Sequence, residues 1–181
     1  MDNNVVKINL QEVKIGVICH QVNCQGKMET GIAKVISDIF PYTKEEYLKL
    51  CNSIPNTMRL GLTQFIKINP ELFIANLFGQ YYYGKTGQFT IYDAVKNCLT
   101  DVKQFLKKKI NSKICINCGY IRYNNIKTCP MCNFYKFDNI KSFPCYIPYK
   151  MGCSLAGGDW NIVSRLIKDY IPSAIIFKHE K

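Results

Sequence analysis

Four cysteines, Cys115, Cys118, Cys129 and Cys132, stand as two C-x2-C pairs ten residues apart. Paired thiolates on tight turns close a tetrahedral metal site, and this spacing belongs to a zinc ribbon rather than to a disulfide framework. Four cysteine ligands leave no coordination position open, so the expected ion is a structural zinc. The surrounding segment has too few apolar residues to offset an ordering cost of about 1–2 kcal/mol per residue. Zinc binding at about 10–16 kcal/mol supplies much of what is missing. The remaining cysteines, Cys19, Cys24, Cys51, Cys98, Cys145 and Cys153, stand singly and read as small hydrophobes.

A second group of residues gathers at two glycine-rich turns. "VICHQVNCQGKMETGIAKVI", residues 17–36, begins as a buried strand and ends as an amphipathic helix, with a polar turn at Asn23–Ala33 between them. "GCSLAGGD", Gly152–Asp159, occupies the matching place between a later strand and helix. Open α/β sheets bind ligands at the carboxyl ends of their strands, where loops and helix N-termini present N–H groups. Gly26, Gly31, Gly152, Gly157 and Gly158 allow the backbone to approach a phosphate closely. Two such turns together suit a diphosphate. His20 can act as acid or base near neutral pH, and Asp159 can orient a water or cap the last helix.

The elements that must position these residues follow from periodicity. Strands are expected at 4–10 and 13–19, then a helix at 30–39 with Ile32, Val35, Ile36 and Ile39 on one face. "TKEEYLKLCN" predicts a further helix capped by Thr43, with Glu46 three residues on. Two strands, 61–69 and 72–80, join through an Asn69–Pro70 turn, and 91–110 is the clearest helix. After the cysteine segment, 142–152 reads as a strand, 160–171 as a helix and 173–180 as a last strand. This alternation indicates an α/β layered domain with a mixed, mostly parallel sheet. The metal segment falls between a helix and a strand, so it reads as an insertion: 1–111, the ribbon at 112–137, then 138–181.

Totals bound the partners. Apolar residues at 48% and charged residues at 20% support a packed core. Apolar runs fall short of the roughly 20 residues that cross a bilayer, and the N-terminus MDNNVVKINL has no signal-peptide pattern. The expectation is a soluble, cytoplasmic protein, a monomer, with no membrane partner. The net charge of +11, lowered to roughly +9 by a four-thiolate zinc, suits an acidic partner, either a diphosphate ligand or nucleic acid. Tyr120, Arg122, Tyr123, Lys127, Tyr135 and Lys136 of the ribbon are candidate basic–aromatic contacts to nucleic acid or protein.

"HQVNCQGKMETGIAK", "IANLFGQ" and "IPYKMGCSLAGGDW" resemble the macro domain. The resemblance is to its branch with an H-Q-V-N-x-x-G-x-M-x-x-G-I-A loop and a G-C-x-L-A-G-G-D-W loop, similar to ADP-ribose 1''-phosphate phosphatases and terminal ADP-ribose glycohydrolases. It covers nearly the whole chain outside 112–137. It implies a three-layer α/β/α fold with ADP-ribose at the strand ends. On this resemblance Asn23 contacts the distal ribose, with Gln21 and Val22 beside it in the motif. Gly26, Met28, Gly31, Ile32 and Ala33 form the loop over that ribose and its phosphate. Gly152, Cys153, Ser154, Leu155, Ala156, Gly157 and Gly158 form the diphosphate loop, and Tyr82, within Tyr81–Tyr83, flanks a sugar or base.

The pattern also departs from the branch. Asn9 stands nearest the aspartate that binds the adenine amino group, and Glu29 replaces a common glycine. Ala33 stands where hydrolytic members often carry an aspartate. Gln80 or Tyr81, and Ala156, replace the glycohydrolase lysine and aspartate. His20, Asn23 and Asp159 remain as catalytic candidates for hydrolysis of an ADP-ribose derivative. The alternative is a non-catalytic reader of ADP-ribose or ADP-ribosylated macromolecules, with the ribbon as a partner module.

Overall fold

The computed structural model describes residues 4–84, 86–110, 112–118, 120–122, 127–139 and 142–180. Tyr123, one of the candidate ribbon contacts, lies outside them. The chain runs β1 (Val6–Ile8), a 3-10 turn (Leu10–Glu12), β2 (Gly16–Asn23), α1 (Gly31–Ile39) and α2 (Tyr42–Ser53). It continues through β3 (Thr63–Lys67), β4 (Leu72–Gln80), α3 (Tyr92–Ile110), β5 (Lys113–Cys115), β6 (Ile121–Arg122) and β7 (Phe137–Asn139). It closes with β8 (Cys145–Pro148), α4 (Trp160–Tyr170) and β9 (Ile175–His179).

Six strands form one sheet in the order β1-β9-β8-β2-β4-β3. Every neighbouring pair is parallel except β3–β4, so the sheet is mixed and mostly parallel. All eight positions of β2 and all nine of β4 are buried, as central strands covered on both faces require. Alternation sorts their side chains. Val17, Cys19, Phe73, Ala75 and Leu77 pack with α3 and α4, through Val95, Leu99, Val102, Val163 and Ile167. Ile18, Leu72 and Ile74 pack with Ile36 of α1, while Val22 and Phe78 pack with Tyr47 and Cys51 of α2. The result is the α/β/α layering that the sequence indicates. Among the described residues no helix is long and apolar enough to cross a membrane.

Strands β5–β7 form a separate three-stranded antiparallel sheet, in the order β6-β5-β7, around the cysteine pairs. Local chemistry explains where boundaries moved from expectation. The first strand stops at Ile8 because the Asn9 side chain accepts the Gln11 amide (3.0 Å) and starts a 3-10 turn. Thr43 does not cap α2. The helix already starts at Tyr42 behind Pro41, and the buried Thr43 hydroxyl donates to the Phe40 carbonyl (2.7 Å). The second strand starts late, at Gly16, and runs on through Asn23, so His20, Gln21, Val22 and Asn23 belong to the sheet rather than to the following loop.

Candidate functional site

Strands β2, β4 and β8 are adjacent and parallel, so the connections that follow them, 24–30, 81–91 and 149–159, open on one rim of the sheet. Asn9, after β1, and Glu180, after β9, lie on the same rim further along. Side chains tie the connections together. Gln21 Nε2 donates to Gln80 Oε1 (2.8 Å) and to Thr90 Oγ1 (2.9 Å), and the Thr90 hydroxyl donates to the Gly152 carbonyl (2.6 Å). The Phe89 and Thr90 amides both donate to the Ala156 carbonyl, at 2.7 and 2.9 Å. Gly152, with φ +72°, is pressed so closely on Gln21 that a Cβ would lie 2.4 Å from Oε1. Thr90 and Gln80 are therefore builders of the rim. In the sequence Gln80 stands only as a replacement for the glycohydrolase lysine, and nothing in the spacing of Thr90 points to this role.

The turn after β8 leaves donors exposed. The Gly157 amide donates to the Ser154 carbonyl (3.0 Å) and the Gly158 amide to the Gly152 carbonyl (2.9 Å). These bonds close a β-turn over 154–157. With the Ala156 carbonyl bound by Phe89 and Thr90, the amides of Ser154, Leu155 and Ala156 make no hydrogen bond among the described residues. Consecutive free amides of this kind form an anion-binding concavity. Across the rim α1 starts at Gly31 without a side-chain cap from Thr30, and its first amides, Gly31, Ile32 and Ala33, are likewise unengaged among the described residues. The N-terminus of α4 differs. Asp159 accepts the Asn161 amide on Oδ1 (2.8 Å) and caps that helix with a carboxylate, which would repel an anion there.

Glu29 has local partners for its charge. Its carboxylate accepts the Met28 amide (2.9 Å) and pairs with Lys44 (3.6 Å), whereas Lys34 is bound to Asp38 (2.6 Å). Behind the turn after β2, the buried Arg59 donates from Nε to the Ile54 carbonyl (2.8 Å) and from its other nitrogens to the Cys24 and Cys51 carbonyls. It holds a positive charge against the base of the turn. Tyr82, exposed, stacks on Tyr83 (5.1 Å between centroids) beside Phe89.

The catalytic candidates are committed elsewhere. Asn23 Oδ1 accepts from the Gln25 amide (2.9 Å), the Lys27 amide (3.2 Å) and the Tyr47 hydroxyl (3.2 Å), while Nδ2 donates to the Lys27 carbonyl (2.6 Å). Its amide scaffolds the turn. His20 is fully buried, with Nε2 2.6 Å from Asn76 Oδ1. Asn76 Nδ2 donates to Gln64 Oε1 (2.9 Å), and this assigns Oδ1 as acceptor and places the imidazole proton on Nε2. Nδ1 is buried and has no hydrogen-bond partner among the described residues. Burial lowers the imidazole pKa to about 4, against a smaller upward effect of the Asn76 bond. Burial likewise pushes the Cys24 and Cys153 thiols up to about 11, so neither offers a thiolate near neutrality. Val22 and Met28 are buried in the core rather than on the rim, and Asn9 spends its side-chain oxygen on its own turn.

The four cysteines of the small sheet bring their sulfurs within 4.8 Å of one another. Cys115 and Cys132 are 3.7 Å apart, Cys118 and Cys129 3.5 Å. A tetrahedral site with Zn–S bonds of about 2.3 Å has sulfurs about 3.8 Å apart, so this donor set fits such an ion. Disulfides, at about 2.05 Å, do not fit.

No family model matches the chain, and no curated protein matches it. Solved structures do. A protein of unknown function from Bacteroides thetaiotaomicron is 22% identical over 97% of this chain and 98% of its own, with a TM-score of 0.68. A macrodomain protein from Streptomyces coelicolor is 18% identical over 98% and 99%, with a TM-score of 0.62. Thermosipho africanus DarTG, solved in complex with ADP-ribose, is 15% identical over 91% of this chain and 38% of its own, with a TM-score of 0.58. At these identities the likeness is one of fold.

Proposed function

We propose that this chain, which has the macrodomain fold, binds ADP-ribose or a close derivative on the rim where β2, β4 and β8 end. The observation that carries the reading is the set of unengaged amides, Ser154 to Ala156, facing the same rim as the uncapped start of α1. The diphosphate sits on Ser154–Ala156 and the distal ribose lies under the turn from Gly26 to Ala33, with Tyr82 flanking it. The likeness to a structure solved with ADP-ribose supports the choice of ligand. Asn9, capped onto Gln11, makes adenine recognition the weaker end of the site.

The geometry favours a reader over a hydrolase. A hydrolase needs a base within reach of water or substrate. Here His20 is buried and neutral, Asn23 is bound up in its turn and Asp159 caps α4. The partner class that follows is an ADP-ribosylated macromolecule or free ADP-ribose. The same reading assigns the four cysteines a structural zinc, held by Cys115, Cys118, Cys129 and Cys132, that orders the segment 112–137 as an insertion into the macro domain. When bound, zinc supplies folding energy to that segment and no reactive position.

Calorimetry with ADP-ribose tests binding, with one site per chain expected. Phosphate release from ADP-ribose 1''-phosphate separates the two roles: binding without release is expected, and release that disappears in His20→Ala would restore the hydrolase.

A further inference from the structure

The surface of the small four-cysteine sheet has no part in the rim. Ile116 and Met131, each lying between the cysteines of a pair, are 51% and 72% exposed. Tyr135 is 67% exposed and stacks on Phe134, with 5.4 Å between centroids and 26° between planes. These side chains give the small sheet exposed apolar and aromatic surface. The same unit is cationic. Lys107 and Lys108, in the last turn of α3, and Lys113, Lys127 and Lys136 are all exposed, and none forms an ion pair among the described residues.

Strand register sharpens the charge. Lys113, at the start of β5, is exposed. Asp138, the one acidic residue of 112–139, pairs with Ile114, so alternation sets it on the other face from Lys113. Among the described residues of the three strands Lys113 has no acidic neighbour on its face of the sheet, and an anionic partner would neutralise it.

We propose that this sheet binds a single-stranded polynucleotide, with a base stacked on Tyr135 and backbone phosphates on Lys113, Lys127 and Lys136. An acidic peptide would answer the lysines and leave the aromatic pair unused. A duplex calls for a helix or long ribbon to enter a groove, and the strands here are two or three residues long. Exposed aromatic faces interleaved with lysines are what an unpaired strand requires.

The test is fluorescence anisotropy of a labelled oligothymidylate twelve nucleotides long against the full, zinc-loaded chain, from 20 to 200 mM salt. Three or four phosphate contacts predict a slope of about −2 to −3 in log affinity against log salt. Tyr135→Ala should weaken binding roughly tenfold with the slope unchanged. Lys113→Ala with Lys136→Ala should reduce the slope by about 1.4, with zinc content preserved. Absence of binding at low salt overturns the proposal. So does binding that both sets of variants leave intact, equal affinity for a duplex, or displacement of the oligonucleotide by ADP-ribose, which would place it on the rim instead.

Discussion

His20 shows how a residue type suited to catalysis can be structural. An imidazole at the end of a strand beside a glycine turn invites a proton-transfer role. The fold instead places it inside β2, in a buried chain from Asn76 to Gln64, whose Nε2 donates to the Glu46 carbonyl (2.7 Å). Its pKa near 4 in the folded state lies below the ordinary 6.5. Between those values the unfolded chain binds the extra proton, so stability contributed by neutral His20 is complete above pH 6.5 and is lost as pH falls towards 4. The loss amounts to about 3 kcal/mol, and denaturant melts from pH 7 to pH 4 should show it. His20→Leu should flatten that dependence while lowering stability throughout, because Asn76 loses its partner. A slope unchanged in the variant would assign the acid sensitivity to other groups. Residue types alone did not reveal this, because burial at position 20 depends on where the strand ends, and the sequence suggested an end one residue earlier.

At the scale of elements, periodicity was a good guide where one face is apolar. The helices now seen as α1, α3 and α4 fall within a residue or so of the ranges read from the sequence. Boundaries shifted where side chains rewrite the backbone, as Asn9 does in ending β1 and Pro41 in starting α2. The three strands around the cysteines had no periodic signal, since two or three residues cannot display one. Both glycine turns were visible as turns, but not the bracing of the second by the connection after β4. That bracing is testable at Gly157, which has φ +64° and would place a Cβ 2.2 Å from the Gly87 carbonyl oxygen. Gly157→Ala should cost about 1–3 kcal/mol of stability. It should also lower ADP-ribose affinity at least about tenfold, as calorimetry would show, by forcing the 152–158 turn away from Phe89 and Thr90. Unchanged affinity would mean that the turn does not hold the ligand.

The whole molecule holds two separate sheets whose centres differ in kind. The six-stranded sheet is held by buried apolar side chains on both faces, whereas the small sheet has four clustered sulfurs at its centre. Mass spectrometry under native conditions should find one zinc per chain. Chelation should abolish hydrogen-exchange protection in β5–β7 and leave β2 and β4 protected, with ADP-ribose affinity changed less than about twofold. Global unfolding on chelation would make the two units one. The order of the strands, β1-β9-β8-β2-β4-β3, was not legible in the sequence, because long-range pairing has no local signature. Yet that order is what brings connections more than a hundred residues apart onto one rim. The most direct check is therefore an amide-resolved titration of 15N-labelled protein with ADP-ribose. The largest shifts are expected at Ser154, Leu155 and Ala156, together with Gly31–Ala33. Binding that leaves those amides unmoved, or no binding, would contradict the proposed site on this rim.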